Sequence, residues 1–317
     1  MRGWLLGIAV SAVVVAGVAA QQPRFKGSID LVNVPVMVMD RQGNFISNLG
    51  PDDFEVFENG QKQDVSVFLR GDSQSEDVNL RLGLLLDTSG SMFEDMGLAC
   101  TAAIRFLKDL PDARDITLVD FDTEVRIAQY GTADLPRLVE RIRSRKADGW
   151  TSLYDALGVY LDGAHEMDGR KVLVIYTDGG DTRSAQTFSD VIAMLKSTDV
   201  IVYSIGFLEH QPNQVKAEQR LRLQQIADVT GGEAFLPVNS KQLDDVFQRI
   251  VSQVRAQYTL GFISSDAKKD GTWRKLDVKL RGDRVQSLQV RTRKGYYAPY
   301  VDAPRVSYAD GARPLSN

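Results

Sequence analysis

Between residues 29 and 69 apolar side chains recur at every second position. Val32, Val34, Val36 and Val38 share one face of an extended segment, the pattern of a half-buried strand. Two further runs, 54–58 and 65–68, keep the same period and are joined through Asn59-Gly60, a strong hairpin signal because both residues tolerate the left-handed backbone a tight turn needs. Pro35 removes a ladder donor from the first run, which predicts a strand at a sheet edge. Residues 71–77 are polar and read as a linker.

From Leu80 the texture changes. Leu80 to Leu86 is an apolar run broken only at Arg81 and closed by Asp87, as in a strand buried on both faces. A helix over about 96–109 follows, then a strand at 116–121 and an edge strand near 124–128. Helical periodicity returns at 135–142 and again after Thr151. Residues 171–176 repeat the buried-strand pattern and end at Thr177-Asp178. A helix at 185–197, a strand at 200–205, a helix at 214–229, a short strand at 233–236 and a helix at 240–256 complete the series. Such regular alternation predicts a doubly wound, mostly parallel α/β sheet covered on both faces by helices.

Beyond Tyr258 the period of two resumes at 258–263, 273–280 and 288–293. Neither flank holds enough strands for a stable sheet alone, whereas together they suffice for one small β-sandwich. The expected organisation is therefore 24–72 as the first part of a β-sandwich, 78–256 as an inserted α/β domain, 257–300 as the second part, and 301–317 as a disordered tail. Residues 1–20 combine Arg2, an apolar stretch of about 15 residues and Val18-Ala19-Ala20, the composition of a secretory signal peptide. That stretch is short for a bilayer span, so no stable membrane span is expected after cleavage, and the protein is expected to be secreted or to reside in the periplasm or cell envelope.

Composition narrows the chemistry. The chain has 317 residues, 43% hydrophobic, with a net charge of −4. It lacks the positive field that gathers phosphate backbones, so no nucleic-acid partner is expected. One cysteine, Cys100, excludes an internal disulfide, and its neighbours Ala99, Ala103, Ile104 and Leu107 predict a buried small hydrophobe. Two histidines and no His-Glu-x-x-His remove the common zinc hydrolases. A serine hydrolase would need a base beside its nucleophile, and neither histidine lies near the end of a central strand. No phosphate-binding glycine loop occurs, and no enzymatic activity is expected.

In an open parallel sheet ligands bind beyond the carboxyl ends of the strands. At that rim the sequence places Asp87, Ser89 and Ser91 after one buried strand, Thr151 at the start of a helix, and Asp178 after the next central strand. The Asp-x-Ser-x-Ser string alone suits a helix cap as well as a metal site. Combined with Thr151 and Asp178 it forms a set of hard oxygen donors suited to one Mg2+ or Mn2+ ion. Two carboxylates balance a divalent cation and leave it with affinity for one more anionic oxygen.

This set resembles the metal-ion-dependent adhesion site of the von Willebrand factor A superfamily. The resemblance runs through 82–92, 151–157, 202–206 and Ala227-x-x-Thr230-Gly-Gly232, and covers about 78–255. The flanks at 52–60 and 293–297 resemble secreted bacterial proteins related to von Willebrand factor A. The resemblance implies that Ser89, Ser91 and Thr151 reach the metal directly or through water, that Asp87 and Asp178 act directly or at one remove, and that the open position takes an Asp or Glu carboxylate from a protein partner. The leading expectation is thus a metal-dependent, adhesion-type binding module. A scaffold of cell-envelope assembly with a stabilising metal is the alternative, and a metal-dependent hydrolase a more remote one.

Other residues stay open at this level. Glu94 and Asp95 suit either an acidic first helical turn or a second metal site. Asp155 suits either a hydrogen bond behind Thr151 or an ordinary place on the helix surface or at its cap. Trp150 suits either a contact on the rim or an anchor for its loop. Residues 266–271 read as a hairpin turn, and His165 and His210 as surface residues with no carboxylate pair nearby in sequence to recruit them.

Overall fold

A computed structural model of the protein describes residues 31–71, 80–110, 113–282 and 287–300. The expected signal peptide, most of the expected linker and the expected tail lie outside these residues. The N-terminal flank forms β1 (Leu31–Met39), β2 (Phe54–Glu58), β3 (Gln61–Gln63) and β4 (Val65–Arg70). Asn59 and Gly60 both have positive φ, at 49° and 85°, so the β2–β3 turn is the one the Asn-Gly pair encodes.

The alternating region follows in the expected order: β5 (Leu80–Asp87), α1 (Met96–Asp109), β6 (Ala113–Phe121), β7 (Val125–Gly131), α2 (Leu135–Arg143), α3 (Leu153–His165), β8 (Arg170–Thr177), α4 (Phe188–Lys196), β9 (Ile201–Gly206), α5 (Asn213–Thr230), β10 (Glu233–Phe235) and α6 (Ser240–Ala256). Six strands build one sheet in the order β10-β9-β8-β5-β6-β7, parallel except for the edge strand β7, which runs antiparallel to β6. Successive side chains of β5 serve opposite layers. Leu82, Leu84 and Leu86 pack with α1 and α6 residues such as Phe106 and Phe247, while Leu85 packs with α3 residues such as Leu157 and Tyr160. Gly83 faces that second layer too. A Cβ there would lie 2.3 Å from the Tyr160 ring, so glycine is what lets this buried tyrosine lie against the strand.

The C-terminal flank adds β11 (Tyr258–Ile263), β12 (Trp273–Leu280), β13 (Gln289–Thr292) and β14 (Gly295–Tyr297). These strands join those of the N-terminal flank in two antiparallel sheets, β13-β1-β11-β4 and β14-β12-β2-β3. One core lies between them, built from Val34, Val36, Tyr258, Leu260 and Phe262 of the first sheet and Phe54, Val56, Leu276 and Val278 of the second. The flanks therefore form a β-sandwich from segments far apart in sequence.

Pro35 corrects one expectation, because β1 is an interior strand. The ladder with β13 begins only at Val36. The Pro35 carbonyl accepts from the Thr292 hydroxyl at 2.7 Å, so its backbone faces the β13 side, one position beyond that ladder. The missing donor falls where no ladder bond is needed.

Candidate functional site

Chain order and sheet order diverge at β5. The chain runs outward through β6 and β7 and then returns to the other side of β5 to form β8. The two strands that carry Asp87 and Asp178 are thus neighbours, with Leu86 opposite Tyr176, and their carboxyl ends open the crevice where such sheets bind ligands.

Asp87 is fully buried. Its Oδ1 accepts from the Ser89 backbone N–H at 2.9 Å, and its Oδ2 from the Thr177 hydroxyl at 2.5 Å. Burial first, and then the negative charge of Asp178, push the Asp87 carboxyl from its ordinary value of 3.8 up to about 7. Asp178 is 2% exposed and accepts from the Gly180 N–H at 2.9 Å and from the Gln211 side-chain amide at 2.8 Å. Every one of these donors is neutral. Two buried carboxylates that repel each other and are served only by neutral donors carry an uncompensated negative charge.

Three loops meet around them. Ser89 Oγ lies 3.1 Å from Ser91 Oγ, and a short helical turn over Gly90–Met92 leads into α1. The Gly90 N–H donates to the Gly149 carbonyl at 3.0 Å, and the Asp148 N–H to the Thr88 carbonyl at 2.9 Å, which joins the serine loop to the loop that carries Thr151. Thr151 is 5% exposed. Its N–H donates to Thr182 Oγ1 at 3.0 Å, and its carbonyl accepts from the N–H groups of Thr182 and Arg183, which joins it to the loop after Asp178. All five expected donors therefore sit on one connected rim. Asp87 and Asp178 face each other electrostatically, the two serines touch, and Thr151 is tied in through its backbone.

The loop after β8 is longer than its sequence predicts. Asp155 on α3 accepts from the N–H groups of Ala185 and Gln186 at 3.0 and 3.1 Å, which holds these residues out of a helix. α4 instead starts after Thr187, whose hydroxyl accepts from the Asp190 N–H in a reciprocal capping box. Asp155 thus holds the loop after β8, a role its sequence position does not signal.

His210 is a surface residue, as expected, but the fold sets it between two carboxylates, Nε2 3.0 Å from Glu94 and Nδ1 3.0 Å from Asp95. The hydrogen bond to Asp95 leads in raising its pKa above the ordinary 6.5. Glu94 and Asp95 thus engage a histidine 115 positions away. No local signal marks this contact, since only the sheet order brings the loop after β9 to the start of α1. The adjacent Gln211 reaches Asp178 from the same loop. Sequence reading also passed over Asp120. This buried carboxylate is gripped by Arg126, Arg141 and Arg145, and Arg126 also donates to the Thr88 hydroxyl beside the site at 3.3 Å.

Cys100 matches its expectation. Its thiol is buried against Met96 and the Ile142 carbonyl, and burial pushes it up to about 11, which makes it a poor nucleophile.

The donor chemistry fits a hard divalent cation. The rim holds two carboxylates and three hydroxyls, and an ion of charge +2 would neutralise what the neutral hydrogen bonds leave uncompensated. Among the described residues no group of three or more His, Cys, Asp or Glu side chains is gathered for a metal, and the rim, with two carboxylates and three hydroxyls, is not a group of that kind.

A family model for the von Willebrand factor type A domain matches residues 82–249. The chain belongs to this family. The match spans β5 to α6, so the rim described above is the rim of a von Willebrand factor A domain, and the β-sandwich lies outside the matched segment. No curated protein matches the chain. Solved structures similar to it include the PilB minor pilin from Streptococcus sanguinis, at 17% identity and TM-score 0.45 over 58% of this chain and 63% of that one. Another is the pilus adhesin SpaC from Lactobacillus rhamnosus GG in its open conformation, at 10% identity and TM-score 0.48 over 83% of this chain and 48% of that one. A third is a von Willebrand factor type A protein from Catenulispora acidiphila, at 14% identity and TM-score 0.46 over 81% and 76%. The chain spans less than two thirds of PilB and about half of SpaC. Among the described residues no helix is long and apolar enough to cross a membrane.

Proposed function

We propose that this von Willebrand factor A domain binds one Mg2+ or Mn2+ ion at its rim and, through that ion, an Asp or Glu carboxylate of a protein partner outside the cytoplasm. The observation that carries the reading is the pair Asp87 and Asp178, buried side by side with only neutral donors. Asp87, Ser89, Ser91, Thr151 and Asp178 would hold the ion, and the ion supplies a Lewis-acidic position that an external carboxylate can fill. The protein's own residues do the rest. The Ser89 N–H and Thr177 hydroxyl orient Asp87, Gly180 and Gln211 orient Asp178, and the Gly90–Gly149 bond keeps the two hydroxyl-bearing loops together. The signal-like residues 1–20 support a protein that is secreted or sits in the cell envelope. The rim is read here as a site that binds and not as one that catalyses.

Titration calorimetry with Mg2+, run beside a pull-down from envelope extract with and without EDTA, tests the reading. Asp178→Ala is expected to abolish both Mg2+ uptake and partner capture while the fold survives. Capture that persists in EDTA and in Asp178→Ala overturns it. If that variant lowers only the melting temperature, the rim is a scaffold stabilised by metal, the second reading of the chain.

A further inference from the structure

Two of the most exposed large hydrophobic side chains of the described residues stand beside candidate cation donors. Phe93, 77% exposed, comes two positions after Ser91, and Trp150, 63% exposed, comes one position before Thr151. Scattered apolar residues on a surface are ordinary. What sets these two apart is that they sit on the two loops that the Gly90–Gly149 hydrogen bond joins.

Both are displayed on an ordered backbone. The Trp150 N–H donates to the Thr123 hydroxyl at 2.9 Å. Gly149 has φ of +76°, and a Cβ there would lie 2.5 Å from the same hydroxyl, so the loop is pinned where the indole leaves it. Phe93 follows Met92, which is fully buried, and its N–H donates to the Gly90 carbonyl. Burying Met92 turns the next side chain outward. A rigid aromatic loses little rotamer freedom on binding and offers a large contact area, which is why aromatic side chains anchor interfaces.

We infer that Phe93 and Trp150 are specificity-determining residues that give the cation site an apolar rim, and that the segment it takes carries a single Asp or Glu flanked by large apolar side chains. The inference rests on the proposed cation site. Charge argues for a single acid. Asp148 is exposed beside these loops and would repel a run of carboxylates such as a polyuronate chain, whereas Glu94 is paired with His210.

Three probes test this on the full chain: an acetylated, amidated peptide with one Asp between two leucines, the same peptide with serines in place of the leucines, and a galacturonate trimer. In Mg2+ the leucine peptide is expected to bind at least about tenfold more tightly than the serine peptide. Phe93→Ala and Trp150→Ala should each shrink that gap to below about threefold, while Trp150→Phe keeps most of it. Mg2+ uptake, read separately by calorimetry, reports on the cation site itself. Equal affinity for the two peptides in Mg2+-loaded protein overturns the inference and leaves the proposed function standing. Tighter binding of the galacturonate trimer overturns the choice of a peptide. Absence of Mg2+ uptake removes the site and this inference together.

Discussion

Gln211 donates its side-chain amide to Oδ2 of Asp178 across 2.8 Å, from a loop that the neighbouring His210 fastens to the start of α1. Groups that orient a metal ligand from behind commonly change metal affinity by 10–100-fold when removed. Gln211→Ala is therefore expected to weaken Mg2+ binding by about tenfold, because Asp178 then keeps only the Gly180 N–H to hold it. Gln211→Glu sets a further carboxylate against Asp178, so it should lower the melting temperature of metal-free protein and regain most of the loss in Mg2+. Calorimetry and thermal unfolding with and without Mg2+ give both readings, and an unaltered affinity in Gln211→Ala would show that this hydrogen bond positions nothing.

The Asp87 carboxyl, pushed up to about 7 in the fold, gives stability a definite pH dependence in metal-free protein. The folded state holds this proton more tightly than the unfolded chain does, so folding is most favourable below about pH 4 as far as this group is concerned. The contribution is lost as pH rises toward 7, by up to about 4 kcal/mol. A cation reverses this, since a ligating carboxylate must be deprotonated and binding releases the proton. Urea unfolding across this range should show Mg2+ stabilising the protein more strongly at higher pH. Asp87→Asn should flatten the metal-free profile, and a profile equally steep in that variant would assign the dependence to other groups.

Much of this rim is legible in the sequence because its donors end apolar runs. Leu82 to Leu86 and residues 172–176 are buried on both faces, and such strands must stop where the chain turns polar, at Asp87 and at Thr177-Asp178. Local spacing carries no record of strand order, however. Pro35 reads as an edge residue until β13 is seen to start one position later, and His210 reads as unpartnered until β9 brings its loop to Glu94 and Asp95. The start of α4 is misjudged for a related reason. The periodicity predicts a helix from 185, but Asp155, thirty positions earlier, takes the amides of Ala185 and Gln186, and Asp190 takes that of Thr187.

His210 offers a separate titration. Its pKa is raised by Asp95 and, to a smaller degree, by Glu94 and Glu209, while Lys216 is paired with Glu209 at 3.5 Å. The clamp's contribution is fully present below the unfolded value near 6.5, and it is lost as pH rises through the higher folded value. With two histidines in the chain, the imidazole resonances can be followed individually by NMR. His210 is expected to titrate above the ordinary imidazole value near 6.5, and Asp95→Asn should bring it back toward that value. A His210 curve that Asp95→Asn leaves in place would mean that the contact does not persist in solution.

Arg293 ties the β-sandwich to the α/β unit. It is 6% exposed and donates to the Thr198 carbonyl, between α4 and β9, at 3.0 Å, and to the Asn33 carbonyl in β1 at 2.6 Å. Burial pushes its guanidinium down to about 10, which still leaves it charged at neutral pH. Deleting the side chain strands two carbonyls without a donor, at about 1–3 kcal/mol each, and relieves part of the cost of burying a cation. Arg293→Ala is expected to lose on the order of 3 kcal/mol by urea unfolding. Arg293→Lys should recover little, because one ammonium cannot reproduce a planar fork that reaches two carbonyls at once. An unchanged unfolding midpoint in Arg293→Ala would mean that apolar packing alone joins the two parts of the protein. A loss confined to the β-sandwich, seen as a separate early transition, would identify Arg293 as the link that makes them unfold together.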